Sequence, residues 1–265
     1  MIDHDAARSI LQTGDLTIEG RLRAASNTTL RCLIAPEADV AWRCVYKPLA
    51  GERPLWDFAD GTLGRREVAT YAIAEQLGWH VVPPTVWRES GPLGPGMVQL
   101  WIDAVEDSAL VDLVPVGQVP EGWSSVLEGE DAQGSAIALV HSNDPDLERI
   151  AVLDALVNNA DRKGGHLLRD GGGHVWAIDH GVTLGVDEKL RTVLWGWAGQ
   201  PIRTDLHADL VALSTAWHGD LPEAVVAALD SSELQALRDR LTALVTTGVM
   251  PLPGVDWPVI PWPVF

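Results

Sequence analysis

The sequence predicts an α+β protein, with an antiparallel sheet and one helix in the first hundred residues and a mainly helical remainder. Three observations carry this. Apolar and polar residues alternate through 16–47, a single stripe of helical spacing runs through 65–79, and helical spacing dominates from about 104 onward.

The elements follow in order. In LTIEGRLR (16–23), Leu16, Ile18 and Leu22 fall on one side and Thr17, Glu19, Arg21 and Arg23 on the other, the pattern of a half-buried strand. After the AASN turn (24–27), TLRCLIA directs Leu30, Cys32 and Ile34 one way, and VAWRCVYK (40–47) ends a third strand at Lys47 before Pro48. A Gly/Pro-rich loop leads to RREVATYAIAEQLGW, where Val68, Tyr71, Ala72, Ile73 and Leu77 mark a helix and Gly78 its stop. Strands are expected at PTVWRE (84–89) and MVQLWID (97–103). Residues 106–142 are acidic and expected to be partly loop. Asp144 and Pro145 then read as a cap and first-turn proline of a helix that buries Leu147, Ile150, Leu153 and Val157. A short strand at 175–179 precedes helices at LHADLVALSTAW, LPEAVVAAL and SSELQALRDRLTALVTT. The tail PLPGVDWPVIPWPVF is too apolar to stand in water and is expected to dock on the helical part of its own chain.

The 265 residues are 46% hydrophobic, ample for a sizeable core, and no run approaches the ~18 apolar residues of a membrane span. The start lacks a secretion-signal layout, and with only Cys32 and Cys44 a disulfide framework or four-cysteine zinc site is excluded. A cytoplasmic protein with reduced thiols is expected. The net charge of −18 argues against nucleic acid as a partner and against stable membrane association, because both need a basic patch.

Of 19 basic residues only three are lysines: Lys47, Lys163 and Lys189. In a chain that otherwise uses arginine, a lysine marks a place where a compact ammonium is wanted. Lys47 ends a strand, and Glu67, beside the apolar stripe of the following helix, is its natural partner for holding nucleotide phosphates. The densest polar stretch is NNADRKGGHLLRDGGGHVWAIDHG (158–181). There Asp161 follows a buried helix and Asp179 ends an apolar strand, so one carboxylate can orient a hydroxyl and the other hold a divalent ion. His166, His174, Asp179 and His180 also raise a zinc site, although their spacing matches no compact helical motif.

The ordered set VYKP (45–48), Glu67, MVQLWI (97–102), N-x-D-R-x-x-x-H (159–166) and AIDHG (177–181) resembles the phosphatidylinositol 3-/4-kinase-like superfamily. It is most similar to the type II phosphatidylinositol 4-kinases, with the HipA kinases more distant, and looks like an actinobacterial branch of that group. The resemblance covers about 14–215 and rests on the order of short motifs. It implies a two-lobed protein-kinase-like fold with an N-lobe at 1–98, a hinge at 99–105, a C-lobe at 106–250 and an extended tail at 251–265. It also implies roles. Lys47 would bind the phosphates and Glu67 orient it, with Gln99, Leu100, Trp101 and Ile102 contacting the adenine. Asp161 would be catalytic and Asp179 metal-binding. His166 stands where the family places an asparagine, and an imidazole there suits Mn²⁺ as well as Mg²⁺. The first turn has no glycine, leaving Ser26 and Asn27 as phosphate donors. Arg162 and Lys163 are expected to supply positive charge to the transferred group.

The function expected is an ATP-dependent phosphotransferase using Mg²⁺ or Mn²⁺ on a soluble hydroxyl acceptor, protein or small molecule. The alternatives are a pseudokinase that binds nucleotide without transfer, and an AMP transferase.

Overall fold

The computed structural model describes residues 3–22, 27–34, 41–58, 61–106 and 108–265. It forms an α+β chain of two compact units. One runs through Asp103 and takes in Asp179–Thr183 and Leu221–Asp230; the other comprises Ala104–Ile178, Leu184–Asp220 and Ser231–Phe265.

The first unit opens with a helix that the sequence reading did not anticipate, α1 (His4–Thr13). Asp3 caps it by accepting the Ala6 N–H, and Ala7 and Leu11, one turn apart, are its buried side. The sheet is antiparallel: β1 (Leu16–Arg21), β2 (Leu30–Ile34), β3 (Trp42–Pro48), β4 (Thr85–Arg88) and β5 (Gly96–Leu100), in the order β1-β2-β3-β5-β4. The expected antiparallel sheet is therefore present, with β1, β2 and β3 adjacent in chain order. Leu30, Cys32, Ile34, Cys44 and Tyr46 bury together with Val86, Val98 and Leu100 and with Ala7 and Leu11 of α1, which packs mainly on β4 and β5. Cys32 sits opposite Cys44 in register, both thiols free and buried.

Helix α2 (Leu63–Gln76) ends where expected, at Gly78 with φ +67. Thr62 gives its N-terminus no side-chain cap. Glu52 does so from a distance, accepting the N–H groups of Leu63 (3.2 Å) and Gly64 (2.8 Å) and setting a negative charge against the positive end of the helix dipole. The short helix Glu223–Ala228 packs against α2.

The second unit begins with a feature the sequence reading took for partial loop. Here β6 (Val111–Pro115), β7 (Trp123–Glu130) and β8 (Ala136–Ser142) pair antiparallel in the order β6-β8-β7. Helix α3 (Pro145–Val157) is capped by Asp144 with Pro145 in its first turn, and the hairpin of β9 (Leu167–Arg169) and β10 (Val175–Ala177) follows. Helix α4 (Thr204–Ala216) comes before the Glu223–Ala228 helix, which counts as α5, and α6 (Ser231–Thr247) comes after it.

The tail lies on this second unit. The Thr192 N–H and the Trp195 indole both donate to Val259 O (3.2 and 2.7 Å), the Gly164 N–H donates to Val264 O (2.8 Å), and the Lys189 ammonium stands 4.0 Å over the Trp257 ring. No helix among the described residues is long and apolar enough to cross a membrane.

Candidate functional site

Within the first unit, Lys47 holds two carboxylates. Its Nζ donates to Glu67 Oε1 and to Asp179 Oδ1, each at 2.8 Å. Strand alternation explains the aim of the lysine: Cys44, Tyr46 and Pro48 bury on one side of β3, and Lys47 takes the other. Glu67 is only 2% exposed, whereas Asp179 is 46% exposed, so the pair has one dry and one wet carboxylate. Burial pushes the Glu67 carboxyl up to about 7, against the pull of Lys47. Burial also opposes the Lys47 charge, but Asp179 and Glu67 outweigh it and raise the ammonium above its ordinary value.

Asp179 has φ +58, a left-handed backbone that costs a non-glycine residue about 1–2 kcal/mol. The segment that carries it is stitched onto α2. Arg66 Nη1 donates to Thr183 O (3.0 Å), the Thr70 and Thr183 hydroxyls are 3.2 Å apart, and Thr183 Oγ1 donates to His180 O (2.8 Å). Arg66, Thr70, His180 and Thr183 have no exposure at all. Strain of this kind persists where the surroundings over-determine it.

The second unit holds the other acidic position. Helix α3 ends at Asn158, left-handed at φ 51, and the chain turns into the loop carrying Asp161. Asp154, one turn before the end of α3, locks that loop. Its Oδ1 accepts from Asn159 Nδ2 (2.9 Å) and Arg162 Nη2 (3.0 Å), and its Oδ2 from Arg162 Nε (2.8 Å). Arg162 Nη1 donates to Ile178 O (2.8 Å), and Asn159 Oδ1 accepts the Asp161 N–H (2.9 Å). Asp154, Asn159 and Arg162 are all fully buried. What the loop presents is Asp161, partly exposed and paired with Lys163 Nζ at 3.1 Å.

Arg162 therefore departs from expectation. Its guanidinium is dry and already spent on Asp154 and Ile178, so it braces the loop and offers no charge to a transferred group. Lys163 keeps its ammonium beside Asp161. The Gln99 carboxamide is buried and donates to Thr85 Oγ1 (2.9 Å), while the Trp101 N–H donates to Arg43 O (3.0 Å) and Leu100 and Ile102 are buried. Asn27 Oδ1 accepts the Arg53 N–H (2.9 Å); Ser26 lies outside the described residues. His166 closes a 3₁₀ turn and its carbonyl accepts the Ile178 N–H (3.0 Å). His174 pairs with Asp146 (3.1 Å) beside the β9–β10 hairpin, a structural use of that ring rather than the zinc ligation entertained from sequence.

Sequence reasoning missed Asp154, Arg66 and Thr183. For Asp154 a signal existed: an acid inside the apolar run AVLDALV must find a partner when buried.

Comparison with known proteins fits these observations. Protein Rv2133c of Mycobacterium tuberculosis is 46% identical over 273 residues, covering 98% of this chain and 96% of that one. The chain belongs to the Rv2133c family. No protein-family model matches it. Two solved structures show the fold of this Rv2133c-family member to be protein-kinase-like. They are the Golgi casein kinase (TM-score 0.54, 14% identity, 92% of this chain and 74% of that chain) and hydra Fam20 with sugar (TM-score 0.55, 14% identity, 94% and 90%).

Proposed function

We propose that this Rv2133c-family protein is an ATP-dependent phosphotransferase that uses Mg²⁺ or Mn²⁺ and acts on a soluble hydroxyl acceptor, protein or small molecule. The observation that carries the reading is Lys47 held at 2.8 Å by both Glu67 and Asp179. A buried carboxylate that fixes an ammonium, beside a half-exposed carboxylate, is a set suited to polyphosphate and a divalent ion. The resemblance to phosphatidylinositol 3-/4-kinase-like enzymes, with HipA kinases further off, adds the order of the motifs; the kinase-like fold adds the frame.

The donor chemistry fits a hard cation. Asp179 offers an exposed oxygen donor, and His166, as a candidate second ligand, would widen the choice to Mn²⁺. The metal, when bound, would neutralise phosphate charge. Lys47 would hold phosphate oxygens, with Glu67 fixing its direction. Asp161, with its N–H anchored to Asn159, would accept the hydrogen bond of the acceptor hydroxyl and take up its proton. Lys163 would lend its charge as that proton arrives.

Thermal unfolding with ATP and Mg²⁺, Mn²⁺ or EDTA tests binding. Nucleotide at a hundredfold over its dissociation constant should stabilise the protein by about 2.7 kcal/mol. Asp179→Asn should abolish the metal-dependent part, and Asp161→Asn should keep binding while losing release of ADP. Absence of any nucleotide shift would refute the reading. Binding without turnover in wild type would leave a pseudokinase, and a mass gain of AMP on an acceptor would make it an AMP transferase.

A further inference from the structure

Three side chains that take no part in the proposed reaction converge at the far end of α2. Glu75 lies in its last turn, His80 follows two residues after the Gly78 stop, and His4 opens α1. His4 Nδ1 stands 3.0 Å from Glu75 Oε1 and His80 Nδ1 stands 2.9 Å from the same oxygen. The two imidazole rings meet edge to face at 4.6 Å between centroids. All three potential ligand atoms lie within 4.8 Å of one another, the sole such group of three or more His, Cys, Asp or Glu among the described residues.

The backbone supports this convergence. The Gly78 N–H donates to Glu75 O (3.0 Å) and the Trp79 N–H to Ala74 O (3.1 Å), and the Trp79 side chain is buried, so the turn that carries His80 is pinned to α2. His80 itself is held at φ +50, an unfavourable backbone for a non-glycine residue, and that turn aims its ring at Glu75. The buried Tyr71, one turn before Glu75, stacks on the His4 ring at 6.4 Å and backs the cluster.

We propose that His4, Glu75 and His80 form a binding site for a first-row divalent transition-metal ion, zinc foremost, with a fourth position open to water. Two imidazoles and one carboxylate are a borderline-soft set that zinc accepts, and three protein ligands leave zinc one free position. Tetrahedral zinc with bonds near 2 Å separates its ligand atoms by roughly 3.3 Å. The two nitrogen-to-oxygen distances need open by only a few tenths of an ångström. Solvent reaches the cluster: the His80 side chain is 53% exposed, against 13% for His4 and 20% for Glu75. The net charge of −18 draws cations to the surface, and Asp5 offsets Arg8, the nearby cation, through a direct ion pair. Magnesium and calcium, which want oxygen ligands, do not suit this set. Bound metal would tie the start of α1 to the end of α2.

The test is calorimetric titration of zinc into the EDTA-stripped full chain at near-neutral pH, with cobalt as a spectroscopic stand-in. Wild type should bind one equivalent and give the visible d–d bands of four-coordinate cobalt. His80→Ala, at an exposed position, should lower affinity by at least roughly tenfold, the least expected of a lost ligand when outer-shell changes alone cost 10–100-fold. His4→Gln should match it, and His218→Ala, at an exposed histidine outside the cluster, should leave the zinc isotherm unchanged. Wild-type circular dichroism of His80→Ala in EDTA confirms that its loss is not unfolding. No zinc uptake, or uptake that survives His80→Ala, would overturn the site; loss in Asp179→Asn alone would assign the ion to the nucleotide residues instead.

Discussion

Removing the Asp154 carboxylate should cost this protein more than any surface change. Asp154→Ala leaves the Arg162 guanidinium buried with Ile178 O as its remaining partner from this network, and it takes from Asn159 the acceptor of its side-chain amide. Breaking a buried ion pair by deleting one partner costs about 3–5 kcal/mol, most of it the desolvation of the stranded charge. At roughly 2 °C per kcal/mol for a large domain, the melting temperature should fall by about 6–10 °C. Calorimetry on wild type, Asp154→Ala and Asp154→Leu/Arg162→Met separates the two contributions. The double variant buries no charge and should recover most of the loss, because replacing a buried pair by apolar side chains is often neutral. Asp154→Ala melting within about 2 °C of wild type would refute the reasoning. A double variant no better than the single would show that the carboxylate acts through something other than Arg162.

Two further outcomes concern Lys47 and the tail. Lys47→Ala strands Glu67, whose carboxyl burial already lifts to about 7. A folded value above the unfolded one means that the native state holds the proton longer. Stability then declines as pH rises from the unfolded value near 4.3 towards the folded one. Losing Lys47 raises the folded value further, so the melting penalty of Lys47→Ala should be larger at about pH 8 than at about pH 5; an equal penalty at both would contradict this. Gly164→Ala would set a methyl 2.7 Å from Phe265 Cε1 and 2.8 Å from Cδ1, closer than carbon atoms tolerate. Phe265 is half-exposed and its ring can swing aside, so the loss should stay at or below about 1 kcal/mol while proteolysis of the 251–265 tail speeds up. Phe265→Ala in the same chain should relieve it, and no relief would place the strain elsewhere.

The sequence shows most of the first unit because its signals are local. The alternation of Leu30, Cys32 and Ile34, the stripe through α2 and the Gly78 stop each need only a few neighbouring residues to be read, and each stands where expected. Helix α1 escaped because it is short, its apolar side being only Ala7, Ile10 and Leu11; the Asp3 cap was the available clue. The β6–β8 sheet escaped because most residues of its outer strands are exposed, apolar Leu113 and Leu127 included, so no buried alternation marks them. The turn at Asp131, whose carboxylate accepts the Gln133 and Ser135 N–H groups on either side of Gly134 at φ +78, was a hairpin signal passed over. At the candidate site the Lys47–Glu67 partnership was legible from type and spacing, and the structure pairs them. The burial of Arg162 was not, since nothing local tells a guanidinium facing Asp154 from one facing solvent. Side chains that act across long sequence separations, such as Glu52 on the start of α2, leave no periodic trace.

The first unit is written in three places, and the ribosome reads in one direction. The sheet, α1 and α2 are complete once Asp103 has been made, yet Asp179–Thr183 and the helix Glu223–Ala228 that packs on α2 are more than seventy residues and more than a hundred residues away. At about 5–20 residues per second the nascent unit waits several seconds or longer with the surface that α5 will cover open, and with Lys47 lacking one of its two carboxylates. A fragment ending at Asp103 would reproduce that waiting state, so the unit closes only once the Leu221–Asp230 segment has been made. Substitutions in α5 that bury less, at Val225 or Ala228, should therefore show first as lost yield in the cell, ahead of any change in the finished protein.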